Sequence, residues 1–328
     1  MTERAQGIDV SRWQQKVKWW DVRNAGISFV GVRATIGING KDAMFQSHWT
    51  GVYDAGMLRI PYHYYIPTMN PHAQAQNFLH AIAADSGELP PMLDVESNSY
   101  KDANGVTTTA DDATLSGGVK AWLEDVENEL GRVPLIYTRA NFWNAHLRSL
   151  SQNPQFTEKY KLWVAHYVVG GREPTAAEIA PFKPSLPIGW KDWFIWQYTE
   201  SGKLGGIADI GGGLVDRNFF NGTLDELVAY LHALPPANAL AMPVSFGTLG
   251  EEAPPPPLTN QMMLDAFHRA FGGDYWDTLV RAKMRSIAVP RANRNLPYTG
   301  PQITAMSRLT GSERKQLEEA LNGLMDGG

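Results

Sequence analysis

Residues 90–138 contain one complete strand–helix–strand unit. It opens with Pro90-Pro-Met-Leu-Asp94-Val-Glu96, a short apolar run that ends in two acids. Downstream, Leu115, Val119, Trp122, Leu123, Val126 and Leu130 recur at helical spacing, and Gly131 and Pro134 stop the helix. The next strand is Leu135-Ile-Tyr137-Thr138. Strand, helix and strand in that order predict a parallel crossover.

The same alternation extends in both directions. Apolar, β-rich runs stand at Gly7–Val10, Phe29–Ala34, Arg59–Ile66, Met92–Val95, Leu135–Thr138, Leu162–Tyr167, Phe194–Tyr198 and Leu214–Asn218. Eight strands linked by helices predict an α/β fold closed into a TIM-like β/α barrel. Helical signals weaken after the fifth strand, where Pro154, Pro174, Pro181, Pro184 and Pro187 interrupt them. Leu224, Leu227, Val228 and Leu231 mark a closing helix. The barrel domain is therefore expected over residues 1–234. A Pro-rich linker follows over 235–257, ending in Glu-Glu-Ala-Pro-Pro-Pro-Pro. Residues 258–328 are expected to form a small C-terminal helical accessory domain, with a capping box at Thr310-Gly-Ser-Glu313.

Composition narrows the function. The net charge is −5, with no basic stripe in the first 250 residues, so nucleic acid is not an expected partner. The absence of cysteine removes disulfides, thiolate nucleophiles and cysteine-based zinc sites. No apolar run has transmembrane length, so membrane insertion is not expected. The start, Met1-Thr-Glu-Arg-Ala-Gln-Gly7, lacks the apolar stretch of a signal peptide. This predicts synthesis in the cytoplasm, with any action outside requiring delivery. The many Trp and Tyr residues serve core packing or sugar stacking equally well.

In a β/α barrel the chemistry gathers at the C-terminal ends of the strands. Three runs carry acid there: Gly7-Ile-Asp9, Leu93-Asp94-Val95-Glu96 and Leu214-Val-Asp216. Asp94 and Glu96 stand at i and i+2, so both face one way, with Cα atoms roughly 6.5–7 Å apart. Two close carboxylates push their pKa values apart, leaving one protonated and one ionised. That is glycosidase equipment, an acid for the leaving oxygen and a carboxylate for the cationic transition state. Singly, each acid has a bland reading: Asp9 as a helix cap, Asp216 as a salt-bridge partner. Other chemistries lack their motifs. No H-E-x-x-H or G-x-S-x-G occurs, and the eight histidines show no zinc-ligand spacing. No metal or cofactor is expected, and His63 is read as a packed histidine.

The chain resembles the family 25 glycoside hydrolases, the Chalaropsis-type muramidases. The resemblance rests on Gly7-Ile-Asp9-Val-Ser-Arg-Trp13-Gln14, Phe29-Val-Gly-Val-Arg33-Ala-Thr35, Pro61-Tyr62-His63-Tyr64 and Leu93-Asp94-Val-Glu96. It continues through Leu162-Trp163-Val-Ala-His-Tyr167, Phe194-Ile-Trp196-Gln197-Tyr198 and Val215-Asp216-Arg-Asn218-Phe-Phe-Asn221-Gly222, covering about residues 5–222. It implies a barrel with eight strands and about five helices. It also implies hydrolysis of the β-1,4 bond between N-acetylmuramic acid and N-acetylglucosamine in peptidoglycan glycan strands.

By position, the resemblance makes Glu96 the general acid. Asp94 becomes its partner, either as nucleophile or by orienting the substrate's N-acetyl group. Asp9 and Asp216 tune the cleft floor. Tyr62, Tyr64, Tyr137, Trp163, Tyr167 and Gln197 become wall and subsite residues. Arg33 is a further candidate, with pairing to one of the four acids as its other reading. The family often has Phe where Tyr64 stands.

With the missing signal segment, the resemblance implies a phage endolysin or a lysin carried on a phage or injection particle. The C-terminal domain would then contact the particle or a wall polymer. Two other readings are a non-catalytic glycan-binding module on the same barrel and a chitinase-like glycosidase. Retention of all four acids opposes the first. The second expects earlier acids that Pro90-Pro-Met-Leu lacks.

Overall fold

Alternating side chains build two apolar layers from each strand. In Ile27–Ile36, Val30, Val32 and Ala34 face outward to the helices, while Phe29 joins the cluster inside the barrel. In Met92–Asp94, Leu93 faces out and Met92 faces in. Trp122, fully buried, sits in the outer layer of the helix read at 115–130. The structure, a computed structural model, describes residues 3–208, 213–235 and 237–238.

The barrel strands are β1 (Gln6–Val10), β2 (Ile27–Ile36), β3 (Leu58–Tyr64), β4 (Met92–Asp94), β5 (Leu135–Thr138), β6 (Leu162–Ala165), β7 (Ile195–Lys203) and β8 (Leu214–Phe220). Each pairs with the next, and β8 returns to β1, so the sheet closes. A short strand, Gly40–Lys41, folds back on the end of β2. A separate hairpin, Ser99–Lys101 with Thr107–Thr109, follows Glu96.

Nine helical segments occur among the described residues: α1 (Trp19–Asn24), α2 (Phe45–Asp54), α3 (Pro71–Ile82), α4 (Asp112–Leu130), α5 (Ala140–His146), α6 (Arg148–Ser151), α7 (Pro154–Lys159), α8 (Ala176–Ile179) and α9 (Leu224–Ala233). Five of them have seven residues or more, and the short α6, α7 and α8 fill the proline-interrupted region. Helix α9 opens with a reciprocal capping box between Thr223 and Glu226. No helix among the described residues is long and apolar enough to cross a membrane. The Pro-rich segment from residue 239 and the helical domain expected over 258–328 lie outside the described residues.

One expectation is corrected. Strand alternation predicts an all-parallel sheet, but β8 runs antiparallel to both β7 and β1. Among the described residues no helix separates β7 from β8, whose ends, Lys203 and Leu214, are register partners. Reversal puts the start of β8 at the C-terminal end of the other strands. Asp216 therefore reaches the catalytic end from near the beginning of its strand, opposite Asp9 in the register.

Candidate active site

Register assembles the site. Tyr64 pairs with Asp94, Asp94 with Tyr137, Tyr137 with Trp163, Gln197 with Asn218, and Asp9 with Asp216. Asp9 and Asp94 are buried, whereas Glu96 and Asp216 are half-buried. The four acids predicted from sequence are thus drawn to one end of the barrel.

Asp9 is the best solvated of them by protein groups. Its Oδ2 accepts from Gln197 Nε2 at 3.0 Å and Asn218 Nδ2 at 2.8 Å. A side-chain hydrogen bond from Asp216 completes the set. The amide orientations are enforced from behind. Trp163 Nε1, a donor only, gives to Asn218 Oδ1 at 2.9 Å, so the Asn218 amino group must face Asp9. Tyr137 and Tyr167 hydroxyls donate to Gln197 Oε1 at 2.8 and 3.1 Å, which turns its amino group the same way. Gln197 is the hub of this network.

Burial raises the pKa of all four carboxyls. For Asp94, burial is the main cause, and the charges of Glu96 and Asp9 add to it, while Arg33 opposes it; the result lies well above the usual range. Its Oδ1 is buried with no hydrogen-bond partner. Burial also lifts Glu96, with Arg139 as the chief counterweight. Asp216 is raised well above the ordinary value by burial, by the Asp9 charge and by its hydrogen bond to Asp9. Asp9 is raised by burial, but its three hydrogen bonds all favour its charged form. In the floor pair the hydrogen bonds favour the charge on Asp9 and the proton on Asp216.

Two expectations change here. Trp163 is 0% exposed, so its indole is a buried support beneath the cleft and forms no part of its wall. A close-packed barrel interior at Gly31, where a Cβ would lie 2.8 Å from Trp163 Cη2, explains this placement. Arg33 pairs with none of the four acids. Its Nε gives a 2.8 Å bond to Asp42 Oδ2, a carboxylate that also accepts from the backbone N–H groups of Arg12 and Met44. Its charge still favours ionisation of Asp94.

Tyr62 and Tyr137 are buried beside the acids, and Tyr64 and Tyr167 are half-buried at the rim. His63 points the other way, between Thr35 Oγ1 and Gln74 Oε1 and stacked on Trp122; burial lowers its pKa to about 4.

The sequence reading missed Asn218, Arg139 and Glu200. Asn218 was legible, because it stands two residues from Asp216 on one strand and shares its face. Arg139 follows directly after β5, at the strand end where function collects. Glu200 lies beyond a register shift in β7, so no simple alternation aims it.

The model of the glycosyl hydrolases family 25 matches residues 8–207. The chain belongs to that family. It is 34% identical over 237 residues to Lysozyme M1 of Streptomyces globisporus, spanning 70% of this chain and 71% of the relative. With the N,O-diacetylmuramidase of Chalaropsis sp it shares 27% identity over 229 residues, 68% of this chain and 96% of that one. The crystal structure of the bacterial lysozyme from Streptomyces coelicolor superposes with a TM-score of 0.57 at 31% identity, covering 70% of this chain and 97% of that chain. The family 25 match ends at residue 207, short of β8, so Asp216 and Asn218 join this site through the register with β1 and not through the matched segment.

Proposed function

We infer that this family 25 protein is a peptidoglycan muramidase, hydrolysing the β-1,4 bond from N-acetylmuramic acid to N-acetylglucosamine. The observation that carries the reading is the placement of Asp94 and Glu96 at the end of β4, with Asp9 and Asp216 at the same end of the barrel and burial raising the pKa of all four carboxyls. Glu96 is the general acid: it is half-buried, and burial keeps its proton on to higher pH than an exposed Glu would. It protonates the glycosidic oxygen as the bond to C1 breaks, and as a carboxylate it later takes a proton from the incoming water. Asp94 has two readings, nucleophile or positioner of the substrate acetamido group. Its orphaned Oδ1 supports the second, because an acetamido N–H would satisfy that atom and leave the acetamido oxygen to meet C1.

We propose that the enzyme reaches the wall after release, or aboard a phage particle through residues 258–328. This route is supported by the Pro-rich run Pro254–Pro257, which separates the tail from the matched segment. Detection of the chain in purified particles tests it, and recovery only from the soluble lysate favours release.

The activity test is digestion of purified peptidoglycan by wild type and Glu96→Gln, with new reducing ends reduced by borohydride and identified by mass spectrometry. Reduced muramic-acid ends are expected from wild type, with a loss of about 10²–10⁴-fold in the variant. Reduced glucosamine ends, or none, would overturn the assignment.

A further inference from the structure

The most exposed large apolar side chain on the described part of the molecule is Trp13, at 65%. It stands four residues after Asp9, in the loop that leaves β1 at the catalytic end of the barrel. An exposed tryptophan on a floppy loop would need no explanation. This loop is braced on every side. Ser11 N–H donates to Gln14 Oε1, Gln14 N–H to the Ser11 carbonyl, and Gln14 Nε2 to the carbonyl of Leu214 at the start of β8. Arg12 N–H donates to the buried Asp42, and His48 Nε2 lies 3.2 Å from the Ser11 carbonyl. The backbone is tied to β8, to the turn after β2 and to α2, yet the indole it carries is left in water.

Of eight exposed large apolar residues among the described residues, five lie on or beside the loops at the catalytic end: Trp13, Trp20, Ile38, Val106 and Leu214. The Arg12 guanidinium sits over the Trp13 ring, 4.9 Å from its centroid, which restrains the indole without covering it. A rigid aromatic plane, pre-placed at low entropic cost, suits the flat C–H face of a pyranose. The substrate is a polymer, so its strand must leave the cleft across the rim and present further sugars beyond the scissile bond.

We propose that Trp13 is an outer sugar-binding platform, stacking an N-acetylhexosamine of the glycan strand beyond the four-acid cleft. The proposal rests on the muramidase reading. It assigns Trp13 to affinity for long strands and leaves bond cleavage to the cleft.

The test uses the full chain as wild type, Trp13→Ala and Trp13→Tyr, on peptide-free glycan strands sorted by length. Initial rates of reducing-end formation give kcat/KM for each length. Trp13→Ala is expected to lose about two- to tenfold on long strands, through KM, the size of one aromatic stacking contact. The loss should shrink as strands shorten toward the tetrasaccharide, and Trp13→Tyr should recover part of it. The side chain is exposed, so equal melting temperatures are expected and checked first. Equal rates at all lengths, or a loss independent of length, would overturn the platform. So would unchanged rates with a wild-type dimer that Trp13→Ala dissolves, which would assign the indole to a second copy. A wild type that yields no reducing ends from any strand removes the muramidase reading itself, a result distinct from the others.

Discussion

Asp9 and Asp216, opposite one another in the antiparallel register of β1 and β8, share a side-chain hydrogen bond at the floor of the cleft. The two carboxyls are not equivalent. Asp9 also receives amide hydrogen bonds from Gln197 and Asn218, which favour the negative charge there and the proton on Asp216. Asp9→Asn can keep its amide oxygen on Gln197 and Asn218, which both donate to Oδ2, but its amino group then faces the proton of Asp216. A cost of about 1–3 kcal/mol is expected, the penalty for buried polar groups left unpaired. Asp216→Asn keeps a donor toward Asp9 and should cost less than about 1 kcal/mol. Urea denaturation at pH 7 measures both, and equal losses would show that the proton is not localised on Asp216.

Asp94 makes the fold less stable as pH rises. Its folded pKa lies well above the ordinary 3.8, through burial and the neighbouring charges of Glu96 and Asp9. Below pH 3.8 both folded and unfolded chains hold the proton, and the residue costs nothing electrostatically. Above it the unfolded chain releases the proton while the folded chain retains it, so stability falls from there toward the folded pKa. Asp94→Asn removes this loss. The variant is expected to melt above wild type at pH 7 and to converge on it near pH 3.5, while its activity collapses. A stability difference that stays constant across that range would contradict the burial account.

Much of this fold is legible in the chain because the signals are local. All eight barrel strands lie at the apolar runs of the sequence, and the Leu115–Leu130 periodicity becomes the helix Asp112–Leu130. The direction of β8 is not legible. A parallel and an antiparallel strand share the same two-residue alternation, and the glycines between Lys203 and Leu214 mark a turn of either outcome. The site divides in the same way. Asp9, Asp94, Glu96 and Asp216 are visible as acids at strand ends. Whether an aromatic residue lines the cleft or supports it depends on what packs above it, and Trp163 lies under Gly31 and Asn218. Arg33 finds its partner nine residues on, at Asp42, across a turn that no periodicity announces.

Arg139 is expected to set the alkaline edge of activity through Glu96. Its Nη2 donates to Tyr167 Oη at 2.9 Å and its guanidinium lies over that ring, so its charge is held near the cleft. Glu96 faces this cation together with Asp9, Glu200 and Arg33, and Arg139 is the largest influence favouring the ionised form. A bell-shaped profile is expected, with the general acid active while protonated and the rate falling as pH rises through its pKa. Arg139→Gln raises that pKa further. The alkaline limb of kcat/KM should therefore move to higher pH. A limb that stays in place or moves down would show that Glu96 does not feel this charge.

Gly31 and Gly117 differ in what an added methyl group would meet. Gly31 in β2 packs against Trp163 and Asp9; a Cβ there would stand 2.8 Å from Trp163 Cη2 and 3.0 Å from Asp9 Cβ. Neither neighbour can yield freely, since Trp163 is fully buried and bonded to Asn218, and Asp9 is held by three donors. Gly31→Ala should cost about 1–3 kcal/mol by overpacking. It should also lower kcat by roughly tenfold or more, because small displacements of positioned groups are expensive in rate. Gly117, in the middle of α4, is the control. Nothing lies within 4 Å of its added Cβ, and Gly117→Ala should stabilise the helix by about 0.5–1 kcal/mol without touching the rate. Melting curves and initial rates for the two variants separate the cases. If Gly31→Ala lost stability but kept its rate, the alignment of Asp9 by Trp163 and Asn218 would be irrelevant to catalysis.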